Sequence, residues 1–348
     1  MAETTPITVL TGFLGAGKTT VLNHLLRQPA LARTAVLVNE FGEIGIDHLL
    51  VEKLDENTVL LNAGCLCCTV RGDLTRTLRE MLPRARRDDI TRIIIETTGL
   101  AEPAPILATL MTDPVIASAY RLDGVVTVID AVAGETNLRE RPEAMRQIAV
   151  ADRIVLTKTD LADPALLLRR IAALNPGAPV ITARHGAVDP EMVLHAGLFN
   201  PASKIPDVAG WLHAEAFAHH HGDPNWHDPN WHDPNRHDPN GHDHDERVTS
   251  FCLTFDRPLH WQGVGMWLEM LIQTRGKDML RIKGILNLQG QDRPVVIHAV
   301  QHVLHPPALL SAWPEGDPHT SRIVFVTQDL PRAVIEEGMR VFEAAAAG

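Results

Sequence analysis

The stretch Gly12-Phe13-Leu14-Gly15-Ala16-Gly17-Lys18-Thr19 constrains this chain more than any other. Its spacing, G-x-x-x-x-G-K-T, is that of a phosphate-binding loop, and it sits between an apolar β-prone run, Ile7–Thr11, and a helix predicted over Thr20–Arg27. The glycines Gly12, Gly15 and Gly17 let the backbone curl closely around an anion. The amides of Gly15, Ala16, Gly17, Lys18, Thr19 and Thr20 converge there, with the positive end of the helix behind them. Lys18 can reach the outer phosphates, and the Thr19 hydroxyl can ligate Mg²⁺. A plain glycine-rich turn before a helix would not require Lys18 and Thr19 to follow the last glycine.

A fold can be built outward from that loop. Short runs rich in Val and Ile recur at Ile7–Thr11, Ala35–Asn39, Val59–Asn62, Arg92–Thr97, Val125–Asp130, Arg153–Thr157 and Val180–Thr182, with helix-length segments between them. That alternation predicts an α/β fold, a parallel sheet with helices on both faces. Ligands of such sheets sit at the carboxyl ends of the strands, and each motif below follows a strand, so all can share one cleft. With 348 residues the chain can hold two cores. The expected boundaries are a nucleotide-binding domain over 1–205, a linker over 206–246 and a small C-terminal α+β domain over 247–348.

Several groups could serve chemistry around the loop. After the second predicted strand, Asn39-Glu40-Phe41-Gly42-Glu43-Ile44-Gly45-Ile46-Asp47 carries three acids and two glycines, either a γ-phosphate sensor or a solvated acidic loop. Glu96 ends a strand opposite the phosphate loop, where an acid helps hold the Mg²⁺ shell or a water, and Gly99 lets the backbone approach the γ-phosphate. In Thr157-Lys158-Thr159-Asp160, the Asp160 carboxylate can accept from guanine N1 and N2, which adenine cannot supply, while the Lys158 stem covers the base plane. GTP is therefore expected over ATP.

Three of the four cysteines lie within Gly64-Cys65-Leu66-Cys67-Cys68. Thiolates bind Zn²⁺ and Cu(I) strongly, so Cys65, Cys67 and Cys68 are read as metal ligands rather than as small core residues or a redox pair. On an extended backbone Cys65 and Cys67 would share a face, with a turn bringing in Cys68. Farther along, the repeat D-P-N-x-H places His227, His232, His237 and His242 in a segment rich in Asp, Pro and Asn. Such a segment favours turns over helix, and its imidazoles suit Zn²⁺, Ni²⁺ or Co²⁺ capture at the cost of chain entropy. Beyond it, strands are predicted at Val248–Phe255, Met279–Leu288, Pro294–Val303 and Arg322–Val326, with helices at Trp261–Gln273 and Pro331–Phe342. Strands first, with helices packing on one side, is the arrangement expected. Arg281, Lys283, His298, His302, His305 and His319 are read there as solvated or structural, with no catalytic arrangement among them.

Charge and hydropathy narrow the partners. The balance of 32 basic against 43 acidic residues gives −11, which disfavours a general nucleic-acid role and suits cationic ligands. No apolar run reaches the ~18 residues a membrane span needs, and no basic-then-apolar leader opens the chain. The expectation is a cytoplasmic protein with no membrane or nucleic-acid partner.

Taken in order, GFLGAGKTT, NEFGEIGID, GCLCC, ETTGLAEP and TKTD resemble the CobW-like metal-chaperone GTPases of the SIMIBI class. The resemblance runs on through Arg281-Ile282-Lys283-Gly284 and Pro318-His319-Thr320-Ser321. It implies slow GTP hydrolysis coupled to delivery of a transition metal, zinc foremost, to a client metalloprotein, with a nucleotide- or metal-dependent homodimer among its expected states. Cys65, Cys67 and Cys68 match the family's C-x-C-C motif, and Glu43 matches a nearby acid. Val38 stands where some relatives carry a further acidic ligand, and Thr157 where many GTPases have asparagine. Two other readings remain: a nickel- or cobalt-insertion GTPase of the urease or hydrogenase accessory type, which GCLCC and the long C-terminal domain oppose, and a metal buffer, which an intact Lys18, Thr19 and Glu96 oppose.

Overall fold

The computed structural model describes residues 4–39, 59–63, 66–87, 89–196, 212, 247–314 and 316–347, with the backbone alone at 39, 59–63 and 66–73. The acidic loop bearing Glu43, the residue Cys65 and the histidine repeat fall outside the described residues.

The first sheet is made of β1 (Thr5–Thr11), β2 (Thr34–Asn39), β3 (Val59–Ala63), β4 (Arg92–Glu96), β5 (Tyr120–Asp130), β6 (Arg153–Thr157) and β7 (Val180–Thr182). Its seven strands run β3-β2-β4-β1-β5-β6-β7, and every pairing is parallel. Alternation along each strand divides the side chains between two cores. Ile7, Val9, Ala35, Leu37, Ile93 and Ile95 face helices α2 (Leu66–Arg86) and α3 (Ala104–Thr112). Leu10, Val36, Val38, Ile94 and Val126 face α1 (Lys18–Leu26) on the other side. Burial on both faces explains why β1 and β4 read as unbroken apolar runs rather than as alternating ones. The helices α4 (Pro114–Ala119), α5 (Gly134–Glu140), α6 (Pro142–Ala149), α7 (Ala165–Leu174) and α8 (Pro190–Val193) follow.

The sheet grows to one side of β1 through β2, β3 and β4, and to the other through β5, β6 and β7. The connections after β1 and β4 leave the middle of the sheet on opposite faces and in opposite directions, which makes a switch point at its carboxyl edge where a ligand can sit.

The C-terminal residues form a six-stranded antiparallel sheet of β8 (Val248–Phe255), β9 (Met279–Leu288), β10 (Gln291–Val300), β11 (Val303–Leu304), β12 (Ala308–Leu309) and β13 (Ser321–Gln328). The order is β11-β10-β9-β13-β8, with β12 paired to β10. Helices α9 (Trp261–Arg275) and α10 (Arg332–Ala347) lie over one face, where Trp267 meets Phe325 edge-on at 5.8 Å and Phe251 stacks on Phe325 at 5.4 Å. Two expectations change here. The strands do not precede the helices, because α9 follows β8 directly. The single strand expected over Pro294–Val303 ends at Val300; Gln301 adopts φ 50° and turns the chain so that Val300 pairs with Val303.

The two sheets share a core. Val248, Leu280 and Val326 pack with Ile148, Leu156, Leu167 and Ile171 of the α6–α7 side, and Val300 joins the cluster beneath α3. Ser250 Oγ donates to Ala173 O at 3.2 Å across the same boundary.

Candidate nucleotide site

The loop between β1 and α1 is held open from within. Gly12 has φ 140°, and a Cβ there would lie 2.1 Å from Val128 O, so a side chain is excluded twice over. Gly17, at φ 97°, turns directly into α1, which begins at Lys18 rather than at Thr20 as expected. The first-turn amides of α1 have no partner within the helix and face the loop. Lys18 is buried, and its Nζ donates to Gly12 O at 2.9 Å and Phe13 O at 3.3 Å, bridging the mouth.

The next strand over supplies the other wall. Thr19 Oγ1 donates to Glu96 Oε1 at 2.9 Å. Thr97 N donates to Leu10 O at 2.9 Å and Thr97 Oγ1 to Thr11 Oγ1 at 2.8 Å, which pins the end of β4 to the end of β1. Beyond them Gly99 lies so close to the phosphate loop that a Cβ would sit 2.5 Å from Leu14 Cα and Leu14 N. Only glycine lets the two backbones approach this far.

On the opposite side the TKTD string grips the same loop. Thr157 Oγ1 donates to Ala16 O at 2.7 Å, so the threonine found in place of asparagine still ties β6 to the phosphate loop. Lys158 takes φ 56°, and its Nζ donates to Gly15 O at 2.8 Å and lies 3.7 Å from Asp130 Oδ1. Asp160 is exposed on the following turn, free of a core role. Sequence reasoning missed Asp130: it is 2% exposed, and its Oδ1 also accepts from Val132 N at 3.1 Å and Ala133 N at 2.8 Å. Its place at the end of a predicted strand, facing the same edge as the other motifs, was the available signal.

The thiol motif differs from its expected geometry. Cys67 and Cys68 lie on the first turn of α2, not on a strand, because the helix starts at Leu66. Shared strand faces therefore do not govern which thiols converge. Since β3 is parallel to β1, the start of α2 lies at the same carboxyl edge as the phosphate loop. Two strands, β2 and β4, separate β3 from β1, placing these points on the order of 14 Å apart across the sheet. Among the described residues no group of three or more His, Cys, Asp or Glu is arranged to hold a metal ion.

Of the basic residues read as solvated or structural, His302 and His319 are exposed, while Arg281, Lys283 and His298 are buried. Asp152 Oδ1 lies 2.5 Å from Arg281 Nη2 and 2.8 Å from Lys283 Nζ, with all three residues buried. Arg281 Nη1 also donates to Val150 O, and Asp152 Oδ2 accepts from Val125 N at 2.9 Å. Burial alone would raise the Asp152 carboxyl, but the Arg281 and Lys283 charges outweigh it and hold the group far below the usual carboxylate range. Burial, then repulsion from Arg281, pulls the Lys283 ammonium down to about 8. Burial likewise keeps His298 well below the ordinary imidazole value. The cluster sits between the sheets at the amino edge, away from the phosphate loop.

A parallel sheet with a glycine loop, a Lys-Thr pair starting the next helix and an acid on the adjacent strand defines a phosphate-loop nucleotide-binding protein. The family profile described as CobW/HypB/UreG, nucleotide-binding domain, matches residues 6–182, and that of the cobalamin synthesis protein cobW C-terminal domain matches 248–343. The chain belongs to the CobW/HypB/UreG family of phosphate-loop GTPases. It is 31% identical to the zinc chaperone YjiA of Escherichia coli over 332 residues, covering 94% of this chain and 96% of that one. The zinc chaperone CobW of Pseudomonas aeruginosa is 33% identical, with 96% and 90% covered. Among solved structures, the zinc-bound YjiA GTPase from E. coli superposes with a TM-score of 0.69 at 26% identity, covering 98% of this chain and 99% of that one. No described helix is long and apolar enough to cross a membrane.

Proposed function

We propose that this protein is a GTP-hydrolysing metallochaperone that takes up a transition metal, zinc first, and delivers it to a client metalloprotein. The observation that carries the reading is the shared edge: the Lys18–Thr19–Glu96 constellation and the Cys67-Cys68 turn of α2 both stand at the carboxyl end of one parallel sheet. The names of the relatives point to the same metal and the same nucleotide chemistry.

The roles follow from the contacts. The amides at Gly15, Ala16, Gly17, Lys18, Thr19 and Thr20, with Gly12 making room, cradle the phosphates of GTP, and Lys18 exchanges the Gly12 and Phe13 carbonyls for phosphate oxygen. A phosphate offers the ammonium full charge, which a carbonyl does not. Mg²⁺ would be held by the Thr19 hydroxyl, with Glu96 fixing that hydroxyl's direction, and would neutralise charge on the transferring phosphoryl group. The Gly99 loop meets the γ-phosphate side. Lys158 lines the base, anchored on Gly15 and Asp130, while Asp160 reads guanine N1 and N2.

Cys65, Cys67 and Cys68 with Glu43 make the tight metal site, and His227, His232, His237 and His242 make a weaker collecting site. Co²⁺ and Ni²⁺ suit the same donors. The working unit comprises the nucleotide-binding domain over 1–205, the histidine linker over 206–246 and the C-terminal domain over 247–348, placed in the cytoplasm and able to pair as a homodimer when nucleotide or metal is bound.

A zinc competition titration against a chelating dye tests the reading, run with GDP and with a non-hydrolysable GTP analogue, Mg²⁺ present in both. The analogue is expected to tighten zinc at the thiols by about 1–3 kcal/mol, and linkage requires zinc to favour the analogue over GDP by the same factor. Equal zinc affinities in the two states would leave nucleotide and metal uncoupled and defeat the chaperone mechanism.

A further inference from the structure

Helix α6 touches both the Gly99 loop and the C-terminal sheet, through neighbouring side chains. Gln147, 1% exposed, donates its Nε2 to Gly99 O at 3.2 Å and to Ala101 O at 3.0 Å. Its Oε1 is buried and accepts nothing among the described residues, so the amide is turned wholly to those two carbonyls. The backbone behind it is fixed in turn, since Thr127 Oγ1 donates to Gln147 O at 2.7 Å. One residue earlier, Arg146 pairs with Glu102, at the far end of the same loop. The same guanidinium donates through Nε to Gln328 Oε1 at 3.4 Å, on the last residue of β13. The helix ends at Ala149, and Val150 O just past it accepts from Arg281 of β9.

We propose that α6 lets the C-terminal sheet set the position of the Gly99 loop, with Gln147 and Arg146 as positioning residues for the nucleotide reaction. The loop has little slack against Leu14, so a small shift of α6 changes whether the Gly99 backbone can face a γ-phosphate. Gln147 fixes the loop from behind through two carbonyls, which leaves the opposite side of that backbone turned to the phosphate loop. Arg146 makes this dependent on the C-terminal sheet, because one rigid fork holds Glu102 on one side and Gln328 on the other. A partner or metal that moves the C-terminal sheet then biases GTP against GDP without touching the nucleotide.

This rests on the nucleotide reading above, and the test separates the two. Affinities for GDP and for a non-hydrolysable GTP analogue, with Mg²⁺, are measured on the full chain for wild type, Gln328→Ala, Arg146→Lys, Arg146→Ala and the Arg146→Ala/Gln328→Ala double variant. Each single variant is expected to lower the preference for the analogue over GDP by about twofold to thirtyfold, the range for residues that carry coupling without touching ligand. Arg146→Lys keeps a charge for Glu102 but not the fork, so it should resemble Gln328→Ala. In the double variant, losing Gln328 should cost nothing beyond the loss of Arg146, since the two act in series. A merely structural role would weaken both nucleotides alike and leave the ratio unmoved. An unchanged ratio in the single variants, or a Gln328→Ala effect that persists in full without Arg146, overturns the proposal. If Arg146→Ala does not fold, Arg146→Lys carries the same comparison in its own double variant. A wild-type chain that binds neither guanine nucleotide sinks the nucleotide reading, and this inference with it.

Discussion

The two edges of the parallel sheet carry similar residues and treat them differently. At the carboxyl edge Lys18 reaches backbone carbonyls and Thr19 reaches Glu96, contacts a phosphate or a magnesium ion can replace, while Lys158 is anchored on Gly15 O. At the amino edge each acid is closed against a guanidinium: Asp152 against Arg281 and Lys283, Asp123 against Arg92 with Thr8 donating at 3.1 Å. Strand direction accounts for the division. Strand ends at the carboxyl edge feed into loops and helix starts, where amides point outward and invite anions. At the amino edge the loops into β4, β5, β6 and β7 are short, and the C-terminal sheet seals Asp152 beside β6. A buried ion pair stabilises little on balance but is very sensitive to losing one member. The amino edge therefore fixes how the two sheets meet, while the carboxyl edge keeps its charges exchangeable.

The strongest way to break the contrast is Asp152→Ala. It leaves Arg281 and Lys283 buried beside one another without their carboxylate, and urea denaturation should show a loss of about 3–5 kcal/mol. A loss no larger than that of a typical surface substitution would mean the cluster is open to water.

Lys18→Ala should behave in the opposite manner. GTP turnover is expected to fall by about 10²–10³, in line with removal of one preorganised electrostatic group, while the urea midpoint stays within the spread of surface variants. Turnover near wild type would show that Lys18 does not face the reacting phosphate.

The smallest effect is a slope with pH. The folded Lys283 ammonium titrates near 8, below its ordinary value, so between pH 8 and about 10 the unfolded chain holds more protons than the folded one. Stability must then rise with pH through that window, by at most about 1.4 kcal/mol per unit from this group. Lys283→Met should lack that rise, and the difference between the two denaturation series isolates it from other titrations. Parallel series would place Lys283 in solvent.

Much of this arrangement is legible in the sequence. The seven strands of the first sheet stand where their Val- and Ile-rich runs predicted, with shifts of one or two residues at several ends and a longer start for β5 at Tyr120. The phosphate loop, Glu96, Gly99 and the TKTD string all stand at one edge. These are local signals: a period of two, a glycine spacing, a residue at a strand end. Where the determinant is not local, the sequence does not show it. Cys67 and Cys68 joined a helix, since three thiols carry no preference strong enough to mark a strand end. The turn at Gln301 has neither glycine nor proline to announce it. Arg281 and Lys283 look like surface residues on an alternating strand, and only the other sheet, with Asp152 lying 129 positions from Arg281 in the chain, makes that face an interior.

The sequence by itself determined the parallel sheet, the phosphate loop and the placing of its motifs at one edge, because each depends on residues within a few positions of one another. Only the tertiary structure decided that Asp130 holds Lys158, that Asp152 locks the two sheets together, and that Gln147 and Arg146 reach the Gly99 loop from α6. Those contacts join residues 28 to 182 positions apart in the cases of Lys158 with Asp130 and Arg146 with Gln328. Side-chain pairing at that separation is set by how whole elements pack, and no local pattern in the chain encodes it.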